Sequence, residues 1–308
     1  MTRVAAVDCG TNTIKLLVAD LDPAGGEEIE LVREARMVRL GQGVDRTGRL
    51  ADDALARVFE AVEEYAAIVE AHHVEAVRMC ATSAVRDAAN AEVFSAGVVE
   101  RLGVEPEVLT GAEEAELSYA GATRGLGGVP GPVLVLDIGG GSTELVLGAG
   151  HGDVEAGHSL DVGSVRMTER HLHDDPPTRA QVDAAVSEID RALDTLPSYG
   201  VHLDAPRTVV AVSGTGLTVA AAVLDLPRLD RSAVDRAVVP VAAVREAVAR
   251  IVAMPVAERR ALPYMHPGRA DVIAAGALIL DRVVCRTGVA ELHTSVRDIL
   301  DGIAWSRA

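Results

Sequence analysis

One short plan occurs twice in this chain, and it restricts the possible folds more than any other feature. The apolar run Val4-Ala5-Ala6-Val7 ends in Asp8, passes through Cys9-Gly10-Thr11-Asn12-Thr13 and enters a second apolar strand, Ile14 to Asp20. The run Val133-Leu134-Val135-Leu136 ends in Asp137, passes through Ile138-Gly139-Gly140-Gly141-Ser142-Thr143 and enters a strand from Glu144 to Leu147. A strand-turn-strand of this type aims successive backbone N–H groups and hydroxyls into one concave spot, which suits a phosphate. Two copies in one chain predict two related domains that hold a phosphorylated ligand between them.

The stretch between the copies alternates strand and helix patterns. A helix is expected from near Ala51, with Leu55, Val58, Phe59, Val62, Ala66 and Val69 on its apolar face. Thr82-Ser83 reads as an N-cap for a helix running to about Arg101. Three glycines within Gly125–Gly128, followed by Pro130-Gly131-Pro132, form the clearest linker. The expected division is therefore an N-terminal domain over 1–125 and a C-terminal domain over 126–308, the last helix returning to the first domain. Further on, a strand is expected over His151 to Leu160 and a helix over Arg269–Arg286. Ser213-Gly214-Thr215-Gly216, after the apolar Thr208–Val212, reads as a third strand-to-helix turn suited to an anion. The expected fold class is α/β, a duplicated actin-like (ribonuclease H-like) architecture with its active site in the interdomain cleft. A single doubly wound sheet is the alternative, and it leaves the second hairpin unexplained.

Composition narrows the partners. With a net charge of −17, a general polyanion-binding surface is not expected, so nucleic acid is excluded as a partner. No apolar run reaches the eighteen or so residues needed to span a bilayer; the longest, Val272–Leu280, is bracketed by Asp271 and Asp281 and reads as a buried helix. The strand pattern begins at Val4, which leaves no room for a signal peptide, and a cytoplasmic protein is expected. Cys9, Cys80 and Cys285 lack metal-type spacing and suit a reducing compartment. Lys15, the only lysine in the chain, has two readings, an outward strand position or a phosphate contact.

Several residues could carry chemistry. Gly139, Gly140 and Gly141 let a backbone approach phosphate oxygens without a Cβ in the way, and Ser142 and Thr143 add hydroxyl donors. Asp137 and Glu144 supply two hard oxygens of the kind Mg²⁺ accepts beside phosphate and water. Glu113 and Glu114 are adjacent on a helix, about 100° apart, so at most one faces a site. Either is a candidate general base, and either could simply complement a helix N-terminus. Arg86 could offer a guanidinium fork to phosphate oxygens or lie on the surface.

Taken in order, Ala6–Val18, Arg39–Val44, Ala81–Asn90, Gly111–Leu117, Asp137–Glu144, Ser213-Gly214-Thr215 and Gly268–Ile273 resemble the motifs of the exopolyphosphatase / guanosine pentaphosphate phosphohydrolase (Ppx/GppA) phosphatase family in a short two-domain form. The resemblance covers nearly the whole chain. It implies a phosphoanhydride hydrolase, with Glu114 rather than Glu113 as the base and with Asp137 and Glu144 at the metal. Asp8, Gly10, Thr11, Asn12, Thr13, Lys15, Arg86, Gly139, Gly140, Gly141, Ser142, Thr143, Gly214 and Thr215 become the expected phosphate-binding positions. Mg²⁺ is the expected cofactor, with Mn²⁺ and a monovalent cation as alternatives. Polyphosphate is the expected substrate, and guanosine pentaphosphate or tetraphosphate the alternative ligands. An actin-like small-molecule kinase and a weakly catalytic sensor are the competing classes. A homodimer is expected by the same likeness. Two departures stand out. The chain ends where longer relatives continue into helical domains, so high processivity is not expected. Its final segment reads Ser295–Gly302 without the usual Arg-Glu-Gly.

Overall fold

The computed structural model describes residues 1–150 and 153–308. These divide into two compact units, Met1–Gly121 with Ile299–Ala308, and Ala122–Asp298. The first unit is built on a five-stranded sheet: β1 (Thr2–Cys9), β2 (Thr13–Asp22), β3 (Glu27–Met37), β4 (Ala76–Ala81) and β5 (Glu107–Val108). The order is β3-β2-β1-β4-β5. The first three strands form an antiparallel meander, and β4 and β5 follow in parallel beside β1. Strand β1 is buried on both faces, which is why it reads as a nearly continuous apolar run. On one face Ala5, Val7 and Cys9 pack with Leu55, Val58 and Val62 of the helix Asp52–Ala71 and with Phe94 and Val98 of the helix Ala91–Leu102. On the other, Val4 and Ala6 pack with Ile299, Leu300 and Ile303 of the last helix, Ile299–Trp305. Each buried Val, Leu or Ile side chain among these contributes roughly 1.5–3 kcal/mol.

Polar contacts fix the last helix on the first unit. Both carboxylate oxygens of the fully buried Asp301 accept from Arg33 of β3, at 2.6 and 3.2 Å, and the Trp305 indole donates to Glu28 at 3.0 Å. Gly302 lies so close to the helix Gly111–Thr123 that a Cβ would stand 2.0 Å from the Leu117 carbonyl oxygen.

The second unit repeats the plan. Strands β6 (Val133–Ile138), β7 (Thr143–Gly148) and β8 (Val154–Leu160) form the antiparallel meander, and β9 (Thr208–Val212) and β11 (Glu291–Thr294) are the parallel pair, with β10 (Val238–Pro240) added at the edge. The strand expected from His151 is seen from Val154, and His151 and Gly152 lie outside the described residues. Leu134, Leu136, Ile138, Leu145 and Leu147 turn to the core shared with the helices Arg179–Leu193, Ser213–Val223, Val241–Ala253 and Ile273–Thr287. By the two-residue period of a strand, Asp137 and Glu144 stand on the opposite face. Two sheets of one topology, each opening on its own hairpin, are the duplicated actin-like α/β architecture.

Two helices differ from expectation. The one opening at Thr82-Ser83 lasts only through Ser83–Arg86, and a new helix runs Ala91–Leu102. The break follows from Asn90, whose side-chain amide exchanges two bonds with the Leu50 backbone, 2.8 and 3.1 Å, while the Ala89 N–H donates to Gly48. The helix expected from Arg269 begins at Ile273, after the single turn Pro267–Arg269. There the Ala270 carbonyl accepts from the buried Arg259 at 3.2 Å instead of continuing a helical ladder. No helix among the described residues is long and apolar enough to cross a membrane.

Candidate active site

The turn between β6 and β7 closes with the Gly139 N–H donating to the Ser142 carbonyl at 3.0 Å. The start of the helix Ser164–His171 then takes hold of three consecutive carbonyls. Gly139 accepts from the Ser164 N–H (2.9 Å), Gly140 from the N–H groups of Val165 (2.8 Å) and Arg166 (3.1 Å), and Gly141 from Arg166 Nε (2.7 Å). In a trans peptide the C=O and the next N–H point in opposite directions. The N–H groups of Gly140, Gly141 and Ser142 are thereby turned away from the helix, and they donate to no group among the described residues. Three aligned donors of this kind form an anion-binding nest. The Thr143 hydroxyl is committed elsewhere, donating to the Val162 carbonyl at 2.6 Å, and Ser142 is buried. Gly163 makes the arrangement possible, since a Cβ on it would meet Gly140 O and Gly141 C at 2.5 Å.

Directly behind this turn, Asp137 and Glu144 are cross-strand partners, both buried, at 6% and 2% exposure. Ser159, opposite Glu144 on β8, donates its hydroxyl to Glu144 Oε1 at 2.7 Å. Two buried carboxylates facing one another on a sheet face are a donor set for a hard cation. Among the described residues no third His, Cys, Asp or Glu joins them. A cation held there would complete its shell from phosphate oxygens and water, as Mg²⁺ prefers. The residues therefore fit the expected metal.

The first hairpin has the same backbone and a different charge. Gly10 N–H donates to the Thr13 carbonyl at 3.0 Å. The Thr11 carbonyl accepts from the Gly41 N–H (2.8 Å), and the Asn12 carbonyl from Val38 and Arg39 (both 3.0 Å). The Asn12 N–H is thereby turned outward. The Thr11 hydroxyl lies 2.8 Å from that of Ser83, and the Thr13 hydroxyl donates to Met37 Sδ. Asp8 and Lys15 are cross-strand partners, and Lys15 Nζ stands 3.2 Å from Asp8 Oδ2. Lys15 is thus a paired cation, not an outward-facing strand residue. Cys9 is fully buried, and burial pushes its thiol pKa up, with the neighbouring Asp8 adding to the effect, so it is not a poised nucleophile.

On the helix Gly111–Thr123 the two adjacent glutamates part company. Glu113 is exposed and closes a capping box: its Oε2 accepts from both the Thr110 N–H and the Thr110 hydroxyl at 2.8 Å, and the Glu113 N–H donates back to Thr110 Oγ1 at 3.3 Å. Those bonds, the Thr110 backbone N–H first, hold its pKa below the usual value. Glu114 is buried and accepts from Arg86 Nη1 at 2.9 Å. Arg86 also donates to the Leu109 carbonyl at 2.9 Å, and its Nε and Nη2 make no bond among the described residues. Arg86 and Glu114 are therefore brought together, and Glu113 is set apart as a cap.

The third turn carries the helix Ser213–Val223. Ser213 adopts a φ of 59°, unusual for a residue with a side chain. Gly214 admits the guanidinium of Arg269, whose Nη2 would lie 1.9 Å from a Cβ there, and Thr215 is buried. Burial lowers the Arg269 pKa to about 10, so it remains a cation at neutral pH. Gly163, Ser159 and Arg166 were not legible as functional residues. The only local signal is that Gly41 and Gly163 each follow an apolar residue and shortly precede a helix.

The repeated sheets and hairpins define this chain as a duplicated actin-like α/β protein built around two glycine-bearing turns. Within that class it belongs to the Ppx/GppA phosphatase family, whose sequence model matches residues 22–304. It is 47% identical to exopolyphosphatase 2 of Mycobacterium tuberculosis, over all of this chain and 99% of that protein. Among solved structures, an exopolyphosphatase-like protein is 39% identical, with a TM-score of 0.95 and coverage of 100% of this chain and 98% of that one. The Aquifex aeolicus family member is 29% identical, with a TM-score of 0.83 and coverage of 99% and 97%.

Proposed function

We propose that this protein is an exopolyphosphatase, removing the terminal phosphoryl group of inorganic polyphosphate as orthophosphate. The observation that carries the reading is the nest of three N–H groups at Gly140, Gly141 and Ser142, fixed by the helix Ser164–His171 and backed by buried Asp137 and Glu144. Full-length likeness to a protein named exopolyphosphatase supports the same reading.

In this reading the nest and the outward Asn12 N–H bind phosphate oxygens, while Arg86 offers its remaining nitrogens. Glu114, oriented by Arg86 Nη1, accepts a proton from water as the water oxygen bonds to the terminal phosphorus. The bond from that phosphorus to the bridging oxygen breaks, and the chain leaves one phosphate shorter. Asp137 and Glu144 would hold Mg²⁺, which would supply positive charge to phosphate oxygens. The buried setting of Glu144, with one oxygen held by Ser159, keeps that carboxylate in place.

The test is phosphate release with Mg²⁺ from short polyphosphate, long polyphosphate and guanosine pentaphosphate side by side. Release from polyphosphate, lowered by roughly 10²–10⁴ in Glu114→Gln, is expected. Preference for guanosine pentaphosphate would reassign the substrate and keep the chemistry. Near-normal release by Glu114→Gln would remove Glu114 from its role.

A further inference from the structure

We propose that Arg46 and Arg49 bind the phosphates that follow the terminal one in the substrate, so that a long polyphosphate is held more tightly than a short one. The inference rests on the reading of the substrate as polyphosphate and names a subsite for the rest of that chain.

The two arginines lie on a segment fastened to the phosphate-binding elements of the first unit. At its start, the Arg39 N–H donates to the Asn12 carbonyl at 3.0 Å and the Gly41 N–H to the Thr11 carbonyl at 2.8 Å. Gly41 packs between Thr11 and Ala84, where a Cβ would fall 2.2 Å from Thr11 Cγ2 and 3.2 Å from Ala84 Cβ. At its end, the Gly48 carbonyl accepts from the Ala89 N–H at 2.8 Å, and the Leu50 backbone exchanges bonds of 2.8 and 3.1 Å with the Asn90 amide. The segment thus bridges the first hairpin turn and the chain just after Arg86.

Between these anchors the sequence builds an ordered bracket. Leu40, Val44 and Leu50 are buried in the core of the unit. Gly43 and Gly48 take φ of 76° and 65° at the two ends of the single turn Val44–Thr47, a conformation that glycine adopts without steric cost. The Thr47 hydroxyl donates to the Gly43 carbonyl at 2.9 Å and accepts from the Arg49 N–H at 3.3 Å. With the apolar residues turned inward, Arg46 and Arg49 are left exposed.

Their charge is uncommitted as well. Arg3, Arg57, Arg78 and Arg101 of the same unit each lie 2.6–2.9 Å from a carboxylate. Arg46 and Arg49 pair with no acid among the described residues. Residues 39–50 hold three arginines against one aspartate, in a chain whose net charge is −17. Each internal phosphate of polyphosphate is anionic, and the overall charge of the protein repels it. A substrate whose end is bound beside Asn12 and Arg86 finds in this bracket a positive surface joined to that site. A guanidinium suits the task, since its planar fork takes two phosphate oxygens at once. Because the bracket is already ordered, little freedom is lost on binding.

The experiment compares Arg46→Gln/Arg49→Gln with wild type, measuring phosphate release with Mg²⁺ from tripolyphosphate and from long polyphosphate at several salt concentrations. The KM for long polyphosphate is expected to rise roughly tenfold with kcat unchanged. Its dependence on salt is expected to become shallower, and the kinetics on tripolyphosphate to stay as they are. Arg207→Gln/Arg260→Gln is the control and removes the same charge. Those arginines are also exposed and unpaired among the described residues, but neither belongs to a segment bonded to a hairpin turn. An unchanged KM for long polyphosphate, an equal loss on both substrates, or an equal loss in the control overturns the proposal. If wild type released phosphate from neither substrate, the exopolyphosphatase reading would fail instead. Calorimetric binding of long polyphosphate to wild type and to the double variant would still decide the role of the two arginines.

Discussion

Gly163→Ala isolates the contact on which the phosphate nest depends. Gly163 has φ −146° and ψ 166°, extended backbone that alanine adopts without strain. The substitution therefore adds one methyl group and no backbone penalty. That methyl would lie 2.5 Å from Gly140 O and Gly141 C, and 2.6 Å from Gly140 C. Ordinary contact begins at 3.4 Å, so turn and helix start must separate by about 0.9 Å, the difference between 3.4 and 2.5 Å. The bonds holding the nest, from Val165 and Arg166 to Gly140 and from Ser164 to Gly139, span that same gap. Overpacking of this kind costs about 1–3 kcal/mol, and a displacement near 1 Å costs on the order of 10² in rate. The assay is phosphate release from polyphosphate together with urea unfolding. Gly127→Ala serves as the control, because a Cβ there meets nothing within 4 Å and should change neither quantity. A Gly163→Ala enzyme within about threefold of wild type would refute the claim that this helix start fixes the nest, since a shift near 1 Å should cost far more.

Two other outcomes are expected. Ser159→Ala should weaken Mn²⁺ binding roughly 10–100-fold by freeing Glu144 Oε1, and Ser159→Thr, which keeps the hydroxyl, should restore most of it in the same calorimetric titration. Glu113→Ala should leave kcat intact and lower stability; because the folded-state pKa of Glu113 lies below its ordinary 4.5, the deficit should be constant above that pH and shrink as pH falls through the depressed value, read by thermal unfolding across pH 2–7.

Parts of this site were legible because they are local. The strand-Asp-turn plan is written in consecutive residues, and both hairpins formed where it occurs. Thr110-x-x-Glu113 is itself a capping-box pattern, so the sequence already held the means to set Glu113 aside and point to Glu114. Other parts depend on partners far along the chain. The break after Arg86 is made by Asn90 bonding Leu50, forty residues away. Gly163 follows the turn it packs against by more than twenty residues, and its neighbours mark it only as a glycine between an apolar residue and a helix.

Lys15 shows how the two kinds of information combine. Alternation places it on the same sheet face as Asp8 but leaves open whether that face is wet or buried. The folded chain settles it: Asp8 is buried, and the Lys15 ammonium stands 3.2 Å from its carboxylate. Asp137 and its cross-strand partner Glu144 are buried in the same way, so the two hairpins keep one backbone plan and differ in the charge of the paired residues, a difference that only the strand pairing brings out.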